Sequence, residues 1–253
     1  MIRKILISSA VALPLVFAQD AKTFELPEKI PFGEVSANVN MVTSYIWRGE
    51  VQNGNNVAIQ GGFDWSADLV DTYVSAYVGT WGSPAANSDG NLELDYYGGF
   101  SGAVPGLEDY LSYDGGILYY DYPGLTTQSP ANDFIEYYGS IAVAVPFYDI
   151  GLSYYYGYSP TGYGGNYDYD YQNIGVEVPV PGTPFTGFAS IGFTGADEAG
   201  KENFTDYIGG IGFSLFGLDH SLYFSGTEGY SSDDKDGVSG GGNHFVYTLG
   251  ASF

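Results

Sequence analysis

A period of two runs through most of this chain, and few folds accommodate it. In NVAIQGGFDWSAD (56–68), Val57, Ile59, Gly61, Phe63, Trp65 and Ala67 fall on one face. Asn56, Ala58, Gln60, Gly62, Asp64, Ser66 and Asp68 fall on the other, as in a half-buried strand and unlike a helix. NLELDYYGGF sets Leu92, Leu94 and Tyr96 against Glu93, Asp95 and Tyr97, and FIEYYGSIAVAV sets Ile135, Tyr137, Ile141, Val143 and Val145 against Glu136, Tyr138 and Ser140. TYVSAYVGTW and IGLSYYYGY are apolar or Tyr-rich on both faces, so alternation leaves their facing open. Charged residues make up only 15% of the chain, against about 25% in ordinary soluble domains. The apolar surface is therefore spread thinly over many strands, and a mean hydropathy of -0.06 excludes a bundle of membrane helices.

The connections alternate in length. Short turns recur at DLVD (68–71), VPGLED (104–109), VPFYD (145–149), VPVPGTPF (178–185) and LFGLD (215–219). Between them lie longer polar stretches near 50 and at 83–90, 123–133, 159–168, 195–203 and 228–243. The pattern predicts twelve strands, at about 35–48, 56–68, 72–82, 91–103, 110–121, 134–145, 149–158, 168–180, 185–194, 204–215, 219–228 and 244–253. An even count with both ends on the short-turn side describes an all-β, closed, antiparallel up-and-down transmembrane barrel, with periplasmic turns and external loops. A soluble sandwich has no cause to segregate loop lengths. In a membrane, unpaired edge amides cost several kcal/mol each, so the last strand must pair with the first. Its stripe of Phe245, Tyr247, Leu249, Ala251 and Phe253 is then a lipid face.

The first residues have the form of a secretory signal peptide: Arg3 and Lys4, an apolar run from Ile5 to Phe17, then Ala18. The expected organisation is a signal peptide over 1–18 (cleaved after 18 or 21), a periplasmic N-terminal segment over 19–33 and a barrel over 34–253 in the outer membrane of a Gram-negative bacterium. Removing Met1–Ala18 takes away two basic residues and no acid, leaving five Lys+Arg against 30 Asp+Glu and a formal charge of -25. Nucleic acid is excluded as a partner, because phosphate contacts need basic clusters. With no cysteine, the fold must hold by hydrogen bonding and packing.

Three stretches resemble the TorF family of porin-like proteins of Gram-negative bacteria. One is NVNMVTSYIWRGEVQNGNNVAIQGGFDW, with Ser44, Tyr45, Arg48, Gly49, Gln60, Gly61, Gly62 and Phe63, departing from the family at the residue before Tyr45, where an acid is more usual. The others are YVGTWGS (77–83) and LELDYYGGF (92–100). The resemblance implies an outer-membrane barrel with a transport role and names no substrate. The terminal Phe, with hydrophobic residues at alternate positions before it, also resembles the signal by which the barrel-assembly machinery recognises its clients.

The faces opposite the apolar ones carry the candidate lumen residues Arg48, Gln60, Asp64, Asp68, Glu93, Asp95, Glu136 and Glu177, together with Asn38, Asn40 and Ser44. Arg48 is the one permanently positive strand residue among them. It suits either a salt bridge that fixes lumen packing or a selectivity element at the mouth. Excess carboxylate concentrates cations, so the expectation is a channel for small hydrophilic solutes that prefers cations, lying in outer-membrane lipid and lipopolysaccharide. The alternatives are a structural barrel with a plugged lumen and a lipid hydrolase. The pattern points to no enzyme: His220 and His244 sit in no Ser/His/acid arrangement. No cofactor or metal site is expected, since DDKDG (233–237) lacks the spacing and distal Glu of a calcium loop. The Tyr-dense run at 154–171 is expected to be girdle plus external loop.

Overall fold

The structure is a computed structural model that describes residues 33–85, 92–123, 133–162, 168–196, 203–229 and 242–253. The expected signal peptide, nearly all of the N-terminal segment and the DDKDG run lie outside those residues. Fourteen strands follow in chain order. The first four are β1 (Glu34–Val42), β2 (Ile46–Trp47), β3 (Glu50–Val51) and β4 (Ala58–Val70). Next come β5 (Val74–Pro84), β6 (Leu92–Ala103), β7 (Leu111–Asp121), β8 (Phe134–Val145) and β9 (Ile150–Ser159). The last five are β10 (Tyr169–Pro179), β11 (Phe185–Ala196), β12 (Phe204–Leu215), β13 (Leu218–Glu228) and β14 (His244–Ser252). Twelve of them, β1 and β4 to β14, form one closed antiparallel barrel in sequence order, while β2 and β3 pair only with each other.

The short connections sit together at one end of the barrel. Between β12 and β13 only Phe216 and Gly217 intervene, at φ 57° and 78°. Both values are positive, as in the two-residue hairpin turn whose twist matches that of its strands. In the turn between β6 and β7, the Gly106 N–H donates to Glu108 at 2.8 Å and the Tyr73 hydroxyl donates to it at 2.9 Å. The first of these bonds leads in holding the Glu108 carboxyl below the usual carboxylate range.

Closure is made by β1 and β14, in register from Asn38 opposite Ser252 to Val42 opposite Thr248. Beyond the ladder, Phe253 donates its N–H to Ala37 O at 2.8 Å and accepts from Ala37 at 3.1 Å. At the other end of the seam a side chain replaces a backbone partner. Thr43 N–H donates to Tyr247 O at 3.0 Å, and Tyr247 N–H donates to Thr43 Oγ1 at 3.0 Å. Replacing Thr43 by the isosteric valine strands that amide. The expected loss is about 1–3 kcal/mol, read as a lower urea midpoint for unfolding from lipid vesicles; an unchanged midpoint would show that the seam does not depend on it.

Alternation sorts the walls. Ile59, Phe63, Val78, Tyr96, Ile117, Ile141, Ile174 and Ile211 are exposed on the outer surface. Gln60, Glu93, Asp95, Asp114, Glu136 and Asp206 alternate with them and are buried inside. The Tyr-rich strand β9 resolves the same way, with Tyr154, Tyr156 and Tyr158 exposed on the outside. Tyr155 points inward, where its hydroxyl donates to Glu136 at 2.5 Å. Gly157 shares that inner face, and a Cβ there would lie 2.7 Å from the Glu136 carboxyl carbon. Gly157 on β9 thus makes room for Glu136 reaching across from β8.

Candidate functional site

The first expected strand, 35–48, is corrected by the structure. The chain leaves the wall after Val42, and between there and β4 residues 43–54 turn into the barrel while 55–57 are exposed, so Arg48 reaches the lumen from a hairpin and not from the wall. The polar stretch near 50, expected as an external loop, belongs to this inward segment. Its core is β2 and β3, paired Ile46 with Val51 and Trp47 with Glu50 around an Arg48-Gly49 turn. Both turn residues have positive φ, 49° and 79°. Such a turn takes glycine readily, but it costs a non-glycine residue roughly 1–2 kcal/mol. Arginine at this position is held by what surrounds it. Gly49 is required twice over, because a Cβ would also lie 2.8 Å from the Asp206 Cβ. The base of the hairpin is closed by Gln52 N–H donating to Tyr45 O at 2.8 Å and Tyr45 N–H donating to Asn53 Oδ1 at 3.0 Å.

The hairpin bridges the lumen and packs on both sides of it. Ile46 and Val51 bury against Phe188, Tyr223 and Val246 of β11, β13 and β14. Tyr45 packs against Trp81 of β5 with ring centroids 5.6 Å apart. Trp47 meets Tyr120 of β7 at 5.8 Å and Phe134 of β8 at 6.5 Å, both edge-on. Arg48, at the tip, is 5% exposed. Its Nη2 donates to Glu136 Oε1 at 2.8 Å and Oε2 at 2.7 Å, and its Nη1 donates to the Tyr169 hydroxyl at 3.2 Å. The guanidinium lies 4.1 Å from the Tyr171 ring centroid and 4.4 Å from that of Trp47, within cation–π reach of both. Glu136 is fully buried and also accepts from the Tyr155 and Tyr169 hydroxyls, so the pair is satisfied on every side.

Arg48 is the one Lys or Arg among the described residues. The lumen around it is acidic. Gln60, Glu93, Asp95 and Glu136 are buried beside the hairpin level, and Gln60 donates to Ser83 at 3.1 Å. Glu93 accepts from the Tyr45 hydroxyl at 3.0 Å. Asp64 accepts from the Tyr97 hydroxyl at 2.5 Å, and Asp68 lies near the short-turn end, where it accepts from Ser75. Glu177 faces inward from β10 without joining Arg48. Two buried carboxylates absent from the expected set join them. Asp114 accepts from Tyr77, whose hydroxyl also bonds Tyr138, and Asp206 accepts from Tyr171 at 3.3 Å. Alternation of Ser112 and Asp114 against Leu111 and Tyr113 could have placed the first.

Exposure then divides the lumen by depth. On the inward faces of β1 and β4, Asn40, Val42, Ala58 and Gln60 are buried, while Ser36, Ser66 and Asp68, towards the short turns, are exposed. The interior is thus an acidic vestibule open at the short-turn end and occupied by the hairpin at the other. His220 lies on the outer surface, stacked on Phe213 at 4.9 Å and 2.7 Å from the Tyr247 hydroxyl. His244 faces inward at the start of β14. On the last strand, Phe245 and Phe253 are exposed on the outside, with Tyr247 and Leu249 half-buried on the same face.

The chain belongs to the Gcw_chp family, described as bacterial proteins of unknown function, whose profile matches residues 29–253. No curated protein matches it. Among solved structures, it is similar to an outer membrane channel from Pseudomonas putida F1, at 7% identity and a TM-score of 0.52, over 89% of this chain and 96% of that one. It is similar to the same degree, TM-score 0.52 at 11% identity, to a protein from a study of in-meso crystallization of membrane proteins, over 88% of this chain and 83% of the other. At such identities the likeness is one of fold: a closed barrel of the outer-membrane kind.

Proposed function

We propose that this chain is an outer-membrane channel for small hydrophilic solutes, with a preference for cations and with the residue 43–54 hairpin as its constriction. The observation that carries the reading is the charge of the lumen. Among the described residues its single permanent cation is neutralised by Glu136, and the other inward formal charges are carboxylates. A passage lined in this way lowers the energy of cations and raises that of anions. The resemblance of about the first third of the mature chain to the TorF family supports a porin role on separate grounds. With short turns in the periplasm, the hairpin stands on the external side and the open vestibule faces the cell. Conduction therefore requires the hairpin to shift from the position described. The reading is not an enzymatic one; His220 lies on the outer surface with its Nδ1 on Tyr247 and its ring on Phe213.

Single-channel recording across a tenfold KCl gradient tests this. The expected reversal potential has the sign for potassium, with small or infrequent openings in the wild type. A reversal potential favouring chloride would overturn the cation preference. A second reading, a plugged structural barrel, is favoured by the packing of the hairpin on both walls. It is distinguished by silence of the channel even when Arg48 is removed.

A further inference from the structure

Beside the hairpin lie buried acids that the Arg48 pair leaves unbalanced. Glu93 and Asp95 share the inward face of β6, two residues and so about 7 Å apart along the strand, and are 2% and 0% exposed. Glu93 accepts at Oε1 from the Tyr45 hydroxyl, and Tyr122 also hydrogen-bonds its carboxylate. Its Oε2 and both oxygens of Asp95 have no hydrogen-bond partner among the described residues. Isolated buried carboxylates are among the most costly groups a protein can hold. Arg48 cannot relieve them, since it lies bidentate on Glu136.

We propose that Glu93 and Asp95 form a binding site for a hard divalent cation, with Ca²⁺ the best fit, in the lumen next to Tyr45. Three unpaired anionic oxygens carrying two formal charges match a divalent ion, and an all-oxygen set selects hard cations over Zn²⁺ or Cu²⁺. Asp95 has both oxygens free for bidentate ligation, which Ca²⁺ accepts and the strictly octahedral Mg²⁺ does not favour. Tyr120, directly opposite Asp95 on β7, has a buried hydroxyl without a partner and adds a neutral oxygen. Trp81, opposite Asp95 on β5, has an unpaired indole N–H suited to a water of the ion's shell. Tyr45 links the site to the hairpin, so an ion there braces the constriction against the wall. The site goes beyond the conduction proposal and does not depend on it.

The experiment uses refolded full-length barrel in detergent, stripped with EDTA and titrated with CaCl₂ by calorimetry and thermal unfolding. The wild type is expected to bind one tight Ca²⁺ per chain and to melt at higher temperature with it. Asp95→Asn and Glu93→Gln are each expected to weaken that binding by about tenfold or more while folding at least as well in EDTA, because a buried unpaired charge has gone. MgCl₂ is expected to bind more weakly than CaCl₂. Absence of tight binding in the wild type overturns the site, which would then hold protons. Unchanged binding in Asp95→Asn overturns it as well, assigning the ion to surface carboxylates. Binding without conductance upholds the site and defeats the channel; conductance without binding does the reverse.

Discussion

Replacing Arg48 by alanine is expected to free the 43–54 hairpin from the wall and convert a rarely open barrel into one of large, steady conductance. The size of the effect follows from what the arginine leaves behind. Glu136 is fully buried and would lose both charge-assisted bonds. Breaking such a pair from one side costs about 3–5 kcal/mol, because the surviving charge stays buried. That penalty disappears if the hairpin lifts and water enters. The cation–π contacts with Trp47 and Tyr171 are lost at the same time, so Arg48→Lys, which keeps the charge but not the planar fork, should open the barrel partially. The double variant Arg48→Ala/Glu136→Gln should recover part of the lost docking, since the stranded charge is gone. Fluorescence offers a second readout: Trp47 sits on the hairpin itself and should shift to the red when the hairpin leaves. Conductance and emission both unchanged in Arg48→Ala would mean that the apolar contacts of Ile46 and Val51 hold the hairpin unaided.

The walls were legible in the sequence and the hairpin was not, for reasons that lie in particular residues. Strand β8 was predicted at the bounds observed, because Ile135 to Val145 alternate cleanly and turn residues flank the run. Closure was legible from the final stripe, since an unpaired edge is untenable in lipid. At β1 the alternation of NVNMV runs on through Tyr45 and Trp47 with no Gly or Pro to mark the departure at Thr43. A strand that continues along the wall and one that turns inward have the same local pattern. What separates them is non-local: pockets for Tyr45 and Trp47 made by Trp81, Tyr120 and Phe134, three other strands of the barrel. A signal was present in Ile-Trp-Arg-Gly-Glu-Val, two apolar-containing pairs around a two-residue turn ending in glycine. Alternation assigns a face to each wall residue, yet it could not say that Arg48 would single out Glu136 while Glu177 stays apart. Partner choice depends on strand register and on depth, which follow from the closed ring as a whole.

The outward face supplies the sharpest test of where this barrel resides. Ile117 is 46% exposed near the middle of β7, and Leu69 is 57% exposed near the short-turn end of β4. On a water-soluble barrel, arginine at either position would be close to neutral, since exposed substitutions shift stability by about 0.5 kcal/mol or less. In a bilayer the two positions part company. Arginine at the midplane of a lipid-facing strand costs about 2–4 kcal/mol and near the interface about 0–1 kcal/mol. Ile117→Arg is therefore expected to lower the urea midpoint in lipid vesicles substantially, and Leu69→Arg hardly at all. The contrast arises because a guanidinium near the headgroups keeps its water while one at the midplane must surrender it or thin the bilayer. Equal and small effects at both positions would place the apolar stripe outside a membrane, and with it would fall both the orientation of the hairpin and the case for conduction.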